Sequence, residues 1–317
     1  MFKKSWICAF KKITLKPCDE DFASELKNLI LGKLIFRFPR FARFLDKTAS
    51  FWAILFVIIS LWSLLYTANA GLNLWVYDTC NPTNGESCAL GGESCGINTT
   101  EPPTILETFS RIPDRLKTWN SKEYISTTAT YYNEFDKNKP TAVEFIDPGC
   151  KYCKKLWKNI KEAGFQDKYN LTYVVYPIPN HTEDAYRFQH SYYIASLMEA
   201  IKISPPPQNL NSKIPNDWRL LDKIFTENTE ETDLQNAINT LYTKEQVIEQ
   251  MRKYLKEFGY TDNQIIEIEM KAESPQVRES LANQSNIVRN QLKTIKIPTI
   301  VFGGKRYDRV IDSDTLK

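Results

Sequence analysis

The sequence predicts a mixed α/β domain, interrupted by a block of helices and preceded by one transmembrane helix. Three observations predict it. Residues 51–66 form an apolar run, and no charge occurs between Thr48 and Tyr77. Residues 142–163 read as a buried strand, a sharp turn at Pro148-Gly149 and an amphipathic helix. Between two further strand-like stretches, 171–176 and 295–302, the chain switches to helical periodicity from about 185 to 293.

The chain has 317 residues, enough for one large or two modest domains. Its 42% hydrophobic and 25% charged content is that of an ordinary folded protein. A net charge of +3 speaks against a nucleic-acid footprint. The charge is unevenly placed. Residues 1–50 hold eleven Lys/Arg against five Asp/Glu, and residues 51–110 hold no Lys or Arg.

Residues 1–49 are therefore read as a basic cytoplasmic segment, with Cys8 and Cys18 in it. Its stretch 34–44 interleaves aromatic and basic residues, which reads first as the basic flank of a membrane helix and second as a surface-binding segment. Residues 50–70 are the transmembrane helix, since about 20 apolar residues span a bilayer. Trp52, Trp62 and Tyr66 suit its interfaces. Cationic residues before it and none after it place the N-terminus in the cytoplasm and the rest outside. The bacterial inner membrane is the expected location. Ala68-Asn69-Ala70 resembles a signal cleavage site, but a basic region of 49 residues is long for a signal, so a retained single-pass anchor is the preferred reading.

Residues 71–120 read as an extracytoplasmic tether. Cys80, Cys88 and Cys95 lie there, and Gly-Glu-Ser-Cys occurs twice. In an oxidising compartment two of the three are expected to pair as a structural disulfide. The third would link two chains into a dimer, exchange with the active site, or stay free. Pro102, Pro103 and Pro113 suggest an extended linker.

Residues 121–317 make the α/β domain. Its chemistry centres on Cys150-Lys151-Tyr152-Cys153, at the start of the helix that follows the first strand. Unpaired N–H groups and partial positive charge at a helix N-terminus favour thiolates, and Lys151, Lys154 and Lys155 add to this. Cys150, coming first, should be exposed and attack; Cys153, one turn in, should resolve the mixed disulfide. Glu144, on the strand beneath, is the candidate proton carrier. A zinc site would want two more Cys or His ligands, and only His181 and His190 exist. Each of those histidines reads as a structural one. No metal and no cofactor is expected.

The helical block follows. Tyr186, Tyr193, Ile194, Leu197 and Met198 make a core stripe, Thr243–Gln246 a capping box, and Gly259 a helix stop. Residues 295–302 are a strand and Gly303-Gly304 a hairpin turn.

These segments, in this order, resemble the thioredoxin superfamily in its DsbA-like thiol:disulfide oxidoreductase branch. The likeness runs from about Thr141 to Val310: the Cys-x-x-Cys, the stretch 173–181, the stretch 218–225, and Ile297-Pro298-Thr299. It implies a thioredoxin fold with an inserted helical domain (about 185–293). It also implies a cis Ile297–Pro298 bond facing the cysteines, with Ile297 and Pro298 binding an extended substrate and Lys151-Tyr152 tuning the potential. The implied activity is thiol–disulfide exchange on cysteine-bearing extracytoplasmic proteins, as oxidase, reductase or isomerase, with a membrane or periplasmic redox partner. The reading from a different class is a scaffold component of a conjugation or secretion apparatus that uses the fold for docking.

Overall fold

The computed structural model describes residues 39–80, 82, 93–97, 103–180, 185–207 and 212–317. Residues 1–38, Cys88 and His181 lie outside the described residues. The chain divides into two compact units, Met1–Ala68 and Asn69–Lys317.

Helix α1 (Pro39–Tyr77) contains the apolar run and extends beyond the expected 50–70. Ile54–Tyr77 is long and apolar enough to cross a membrane. Large side chains such as Phe56, Trp62, Leu64 and Tyr66 stand exposed around it. Two of its polar side chains bond within the helix: Trp52 Nε1 donates to Thr48 Oγ1 (3.0 Å) and Thr67 Oγ1 to the Ser63 carbonyl (2.8 Å).

In the second unit, strand β1 (Cys95–Gly96) is followed by two short helices, α2 (Ile105–Ser110) and α3 (Ile112–Leu116). The expectation of an extended linker across this region is thus corrected. Thr104 and Glu107 form a capping box that starts α2, and Pro113 sits in the first turn of α3, where a missing N–H costs nothing. The end of α1 is bonded into this region: Thr108 Oγ1 donates to Asn73 Oδ1 (3.0 Å) and Arg115 Nε to the Trp75 carbonyl (2.8 Å).

Strand β2 (Thr141–Ile146), helix α4 (Lys151–Glu162), the short α5 (Phe165–Lys168) and strand β3 (Asn170–Val175) make a βαβ unit with parallel β2 and β3. Gly164, at φ 60°, ends α4 in the left-handed conformation that glycine adopts at no steric cost. Six helices follow: α6 (Ser191–Lys202), α7 (Asn216–Thr226), α8 (Leu234–Thr240), α9 (Lys244–Glu257), α10 (Asp262–Ala272) and α11 (Pro275–Asn286), the last continued by a π-turn. Thr243 and Gln246 form the expected capping box on α9. The chain returns through β4 (Lys296–Ile297), β5 (Thr299–Phe302), β6 (Lys305–Tyr307) and α12 (Ser313–Leu316).

The main sheet has the order β3-β2-β5-β6, with β5 antiparallel to both neighbours. A parallel βαβ unit joined to a late antiparallel hairpin, with helices inserted between, is the thioredoxin fold that the sequence predicted. Every residue of β2 and β3 is buried, as strands covered on both faces must be.

The insertion is welded to α4 by aromatics. Trp157 of α4 stacks on Trp218 of α7 at 5.4 Å, Tyr132 packs edge-on against both, and Tyr173 meets Trp218 at 4.6 Å. Trp157 also donates Nε1–H to Asp222 (2.8 Å). His190 is a satisfied structural histidine, its Nε2 lying 3.1 Å from the Tyr242 carbonyl.

Candidate functional site

Strand β2 ends at Ile146, and Asp147-Pro148-Gly149 turns the chain into α4, with Cys150 as its N-cap residue. The Cys150 N–H closes the turn on the Asp147 carbonyl (3.0 Å). Gly149 is required here by space: a Cβ on it would lie 2.4 Å from Cβ of Phe188. Helix α8 braces the turn from the insertion. Gln235 Nε2 donates to the Pro148 carbonyl (2.7 Å) and the Cys150 carbonyl (3.1 Å), and Asn239 Nδ2 donates to the Gly149 carbonyl (2.8 Å). Lys154 pairs with Asp233, the cap of α8, at 2.9 Å. Three successive carbonyls around the first cysteine are thereby held by side chains 85–90 residues away.

Cys153 is a free thiol, buried one turn into the helix. The Asp147 N–H points at its sulfur (3.5 Å). Burial pushes the Cys153 thiol well above the usual range, and the nearby Glu144 and Asp147 carboxylates push it further. Glu144 sits in the middle of β2, opposite Tyr173 and Ile300, and is 1% exposed. Burial pushes its carboxyl up to about 8. Its Oε1 has no hydrogen-bond partner among the described residues. The structure therefore places Glu144 inside, as the sequence suggested, and in electrostatic reach of Cys153.

Asp147 is a second buried carboxylate that sequence reasoning passed over as part of a turn. Its oxygens accept from the Gly149 N–H (2.8 Å), the Ile178 N–H (2.7 Å) and the Ser191 hydroxyl. Burial pushes it up to about 6, while those bonds and the Arg187 charge pull the other way. The available signal was an Asp directly after a strand whose residues are mostly apolar, and directly before the cysteine turn.

Ile297–Pro298 is cis, as the resemblance implied, and brings its loop against the helix start. The Cys150 sulfur lies 3.7 Å from the Ile297 carbonyl. Lys151 is exposed, its ammonium 4.9 Å from the ring centre of the half-buried Tyr152.

Two expectations are corrected. Cys150 is fully buried, where exposure was expected. It is also bonded to Cys95, where Cys95 was expected to pair within the tether, link two chains, exchange or stay free; the two Cα atoms are 6.5 Å apart. The cause of both is strand β1, which pairs antiparallel with β4 and sets Cys95 opposite Ile297 and Gly96 opposite Lys296. Cys95 is therefore not part of a structural pair with Cys80 or Cys88, nor the link between two chains. Cys80 is itself disulfide-bonded. The structure bonds this tether cysteine, Cys95, to Cys150 at the helix start.

No protein-family model matches the chain, and no curated relative matches it. Solved structures do. The thiol-disulfide exchange protein alpha-DsbA2 from Wolbachia pipientis is 17% identical, with 62% of this chain and 87% of that one covered at a TM-score of 0.41. The MdbA thiol-disulfide oxidoreductase from Corynebacterium diphtheriae is 13% identical, covering 64% and 98% at 0.42. A thioredoxin-like oxidoreductase from Silicibacter pomeroyi DSS-3 is 17% identical, covering 60% and 88% at 0.37.

Proposed function

We propose that this chain is a membrane-anchored protein thiol:disulfide oxidoreductase acting on cysteine-bearing proteins outside the cytoplasm. One observation carries the reading. A helix-capping cysteine sulfur lies 3.7 Å from the Ile297 carbonyl, on a loop whose edge is already strand-paired with a cysteine-containing segment. That edge offers main-chain N–H and C=O groups, which recognise extended peptides with little regard to sequence.

In the oxidising direction, a substrate thiolate attacks Cys150 in a Cys150–Cys153 disulfide and Cys153 leaves. A second substrate thiolate then attacks the substrate sulfur of the mixed disulfide. Oxidised substrate departs, and both enzyme cysteines are left as thiols. The departing Cys153 sulfur is a costly anion in its buried setting, so a proton must reach it as the bond breaks. Glu144 supplies that proton and takes it back on reoxidation by a membrane or periplasmic partner. Ile297 and Pro298 hold the substrate strand, and Lys151-Tyr152 set the potential by charge and packing at the helix start. The basic residues before the span and their absence from residues 51–110 support a cytoplasmic N-terminus and an extracytoplasmic catalytic unit. The bacterial inner membrane fits this arrangement.

The test is equilibration of the full chain, in detergent, with glutathione redox buffers and a dithiol. The expected result is one two-electron transition involving Cys150 and Cys153, at about −120 to −270 mV. A Cys150→Ser chain should lose exchange with dithiothreitol. A wild-type protein that exchanges no faster than Cys150→Ser would overturn the reading.

A further inference from the structure

We propose that Cys95 is a third redox-active cysteine, and that residues 93–97 are an internal substrate strand lying in the chain's own peptide groove. The proposal rests on the exchange activity above and names a reacting residue and a substrate preference for it.

Three independent sets of contacts place this strand. The main chain pairs as a substrate would: β1 runs antiparallel to β4, and the Ile97 N–H donates to the Ile295 carbonyl (2.8 Å). The sulfur of Cys95 is bonded to Cys150, the residue expected to meet substrate sulfur. The flanks are held by groups that no structural disulfide needs. Arg187 Nη1 donates to the Gly96 carbonyl (2.9 Å), the Val310 N–H donates to the Glu93 carbonyl (2.9 Å), and Lys155 of α4 pairs with the Glu93 carboxylate. Arg187 and Val310 grip carbonyls, which every peptide presents. Lys155 reads a side chain, so the groove favours an acidic residue two positions before the substrate cysteine.

The third sulfur is at hand, because Cys153 is the free thiol buried in the same turn. Exchange needs no external oxidant. The Cys153 thiol gives its proton to the Glu144 carboxylate, and its thiolate attacks the Cys150 sulfur. The Cys95–Cys150 bond breaks, and Cys95 leaves with the electron pair and takes a proton from water. A Cys150–Cys153 disulfide and a Cys95 thiol result, at the same oxidation level. The reverse step closes the groove again. A thiol on the same chain competes at an effective concentration on the order of 1 mM, about 100-fold above a peptide at ~10 µM. Only a substrate that is abundant, or delivered locally, would displace it.

The experiment uses the full chain in detergent, in a glutathione buffer, with acid quenching and disulfide mapping by mass spectrometry. The probe is a synthetic peptide copying residues 92–97. Oxidised wild type should yield both Cys95–Cys150 and Cys150–Cys153 linkages, and Cys153→Ala should yield Cys95–Cys150 alone. With reduced glutathione held at about 10 µM, half-conversion of Cys150 to the peptide mixed disulfide should need about 100-fold more peptide in Cys153→Ala than in Cys95→Ser/Cys153→Ala. Glu93→Gln, which touches no sulfur, should lower the ratio of Cys95–Cys150 to Cys150–Cys153 linkage about two- to fivefold. Equal peptide requirements, with Cys95 open to alkylation in oxidised Cys153→Ala, would overturn the proposal and leave the exchange activity standing. A Cys150 inert toward peptide in the double variant would overturn both.

Discussion

Replacing Glu144 by Gln is the sharpest test of how the site handles protons. The Glu144 carboxyl lies in the central strand, and burial raises it from 4.5 to about 8. Each pH unit between those values corresponds to about 1.4 kcal/mol, so ionising Glu144 costs the folded state up to about 5 kcal/mol more than the unfolded chain. The sign follows from proton counts. Between pH 4.5 and 8 the folded protein keeps a proton on Glu144 that the unfolded chain has lost, so this residue's contribution to stability falls as pH rises, and levels off above about 8. Asp147, raised from 3.8 to about 6, acts in the same direction at lower pH and is present in both proteins. For a unit of this size, 5 kcal/mol corresponds to roughly 10–20 °C in Tm. Thermal unfolding of the full chain, in detergent and in one fixed disulfide state, should therefore show wild type losing stability between pH 5 and 9. Glu144→Gln should lose far less over the same interval. Above pH 8 the variant should be the more stable protein, yet its exchange should be slower near neutrality for want of a proton carrier. Parallel pH profiles for the two proteins would refute the reasoning.

Other perturbations have defined outcomes. Gly149→Ala forces a methyl group into Phe188 and should cost about 1–3 kcal/mol, read as a lower Tm with slowed dithiol exchange. Gln235→Leu strips donors from the Pro148 and Cys150 carbonyls and should cost about 1–3 kcal/mol, with faster alkylation of Cys150 after reduction. Trp157→Ala removes the stacked contact with Trp218 and the bond to Asp222, and about 3–5 kcal/mol of stability should go with them in chemical denaturation.

Much of this architecture was legible because it is written locally. Val143, Phe145 and Ile146 announce a buried strand, Pro148-Gly149 stops it, and Leu156, Trp157 and Ile160 recur at helical spacing before Gly164 ends the helix. The Thr243–Gln246 cap is equally local. The pairing of Cys95 is not. Cys88 and Cys95 follow the same tripeptide, and what selects Cys95 is the register of 93–97 on 295–297, two hundred residues downstream. The roles of Arg187, Gln235 and Asn239 are hidden for the same reason, since each meets the turn or the strand only after the insertion has packed. Proline content misled the reading of residues 103–116, because Pro113 enters a helix at a position where proline fits.

The three carbonyls held by Gln235 and Asn239 have a consequence for engineering. The helical insert looks like a module one might delete or swap, since it sits between two strands of a self-contained sheet. Yet it supplies the props for the very peptide groups that position the Cys150 sulfur. A minimal version cut down to sheet and first helix would keep the Cys-x-x-Cys letters and lose their posture. Transplants should carry α8 along with the loop it shores up.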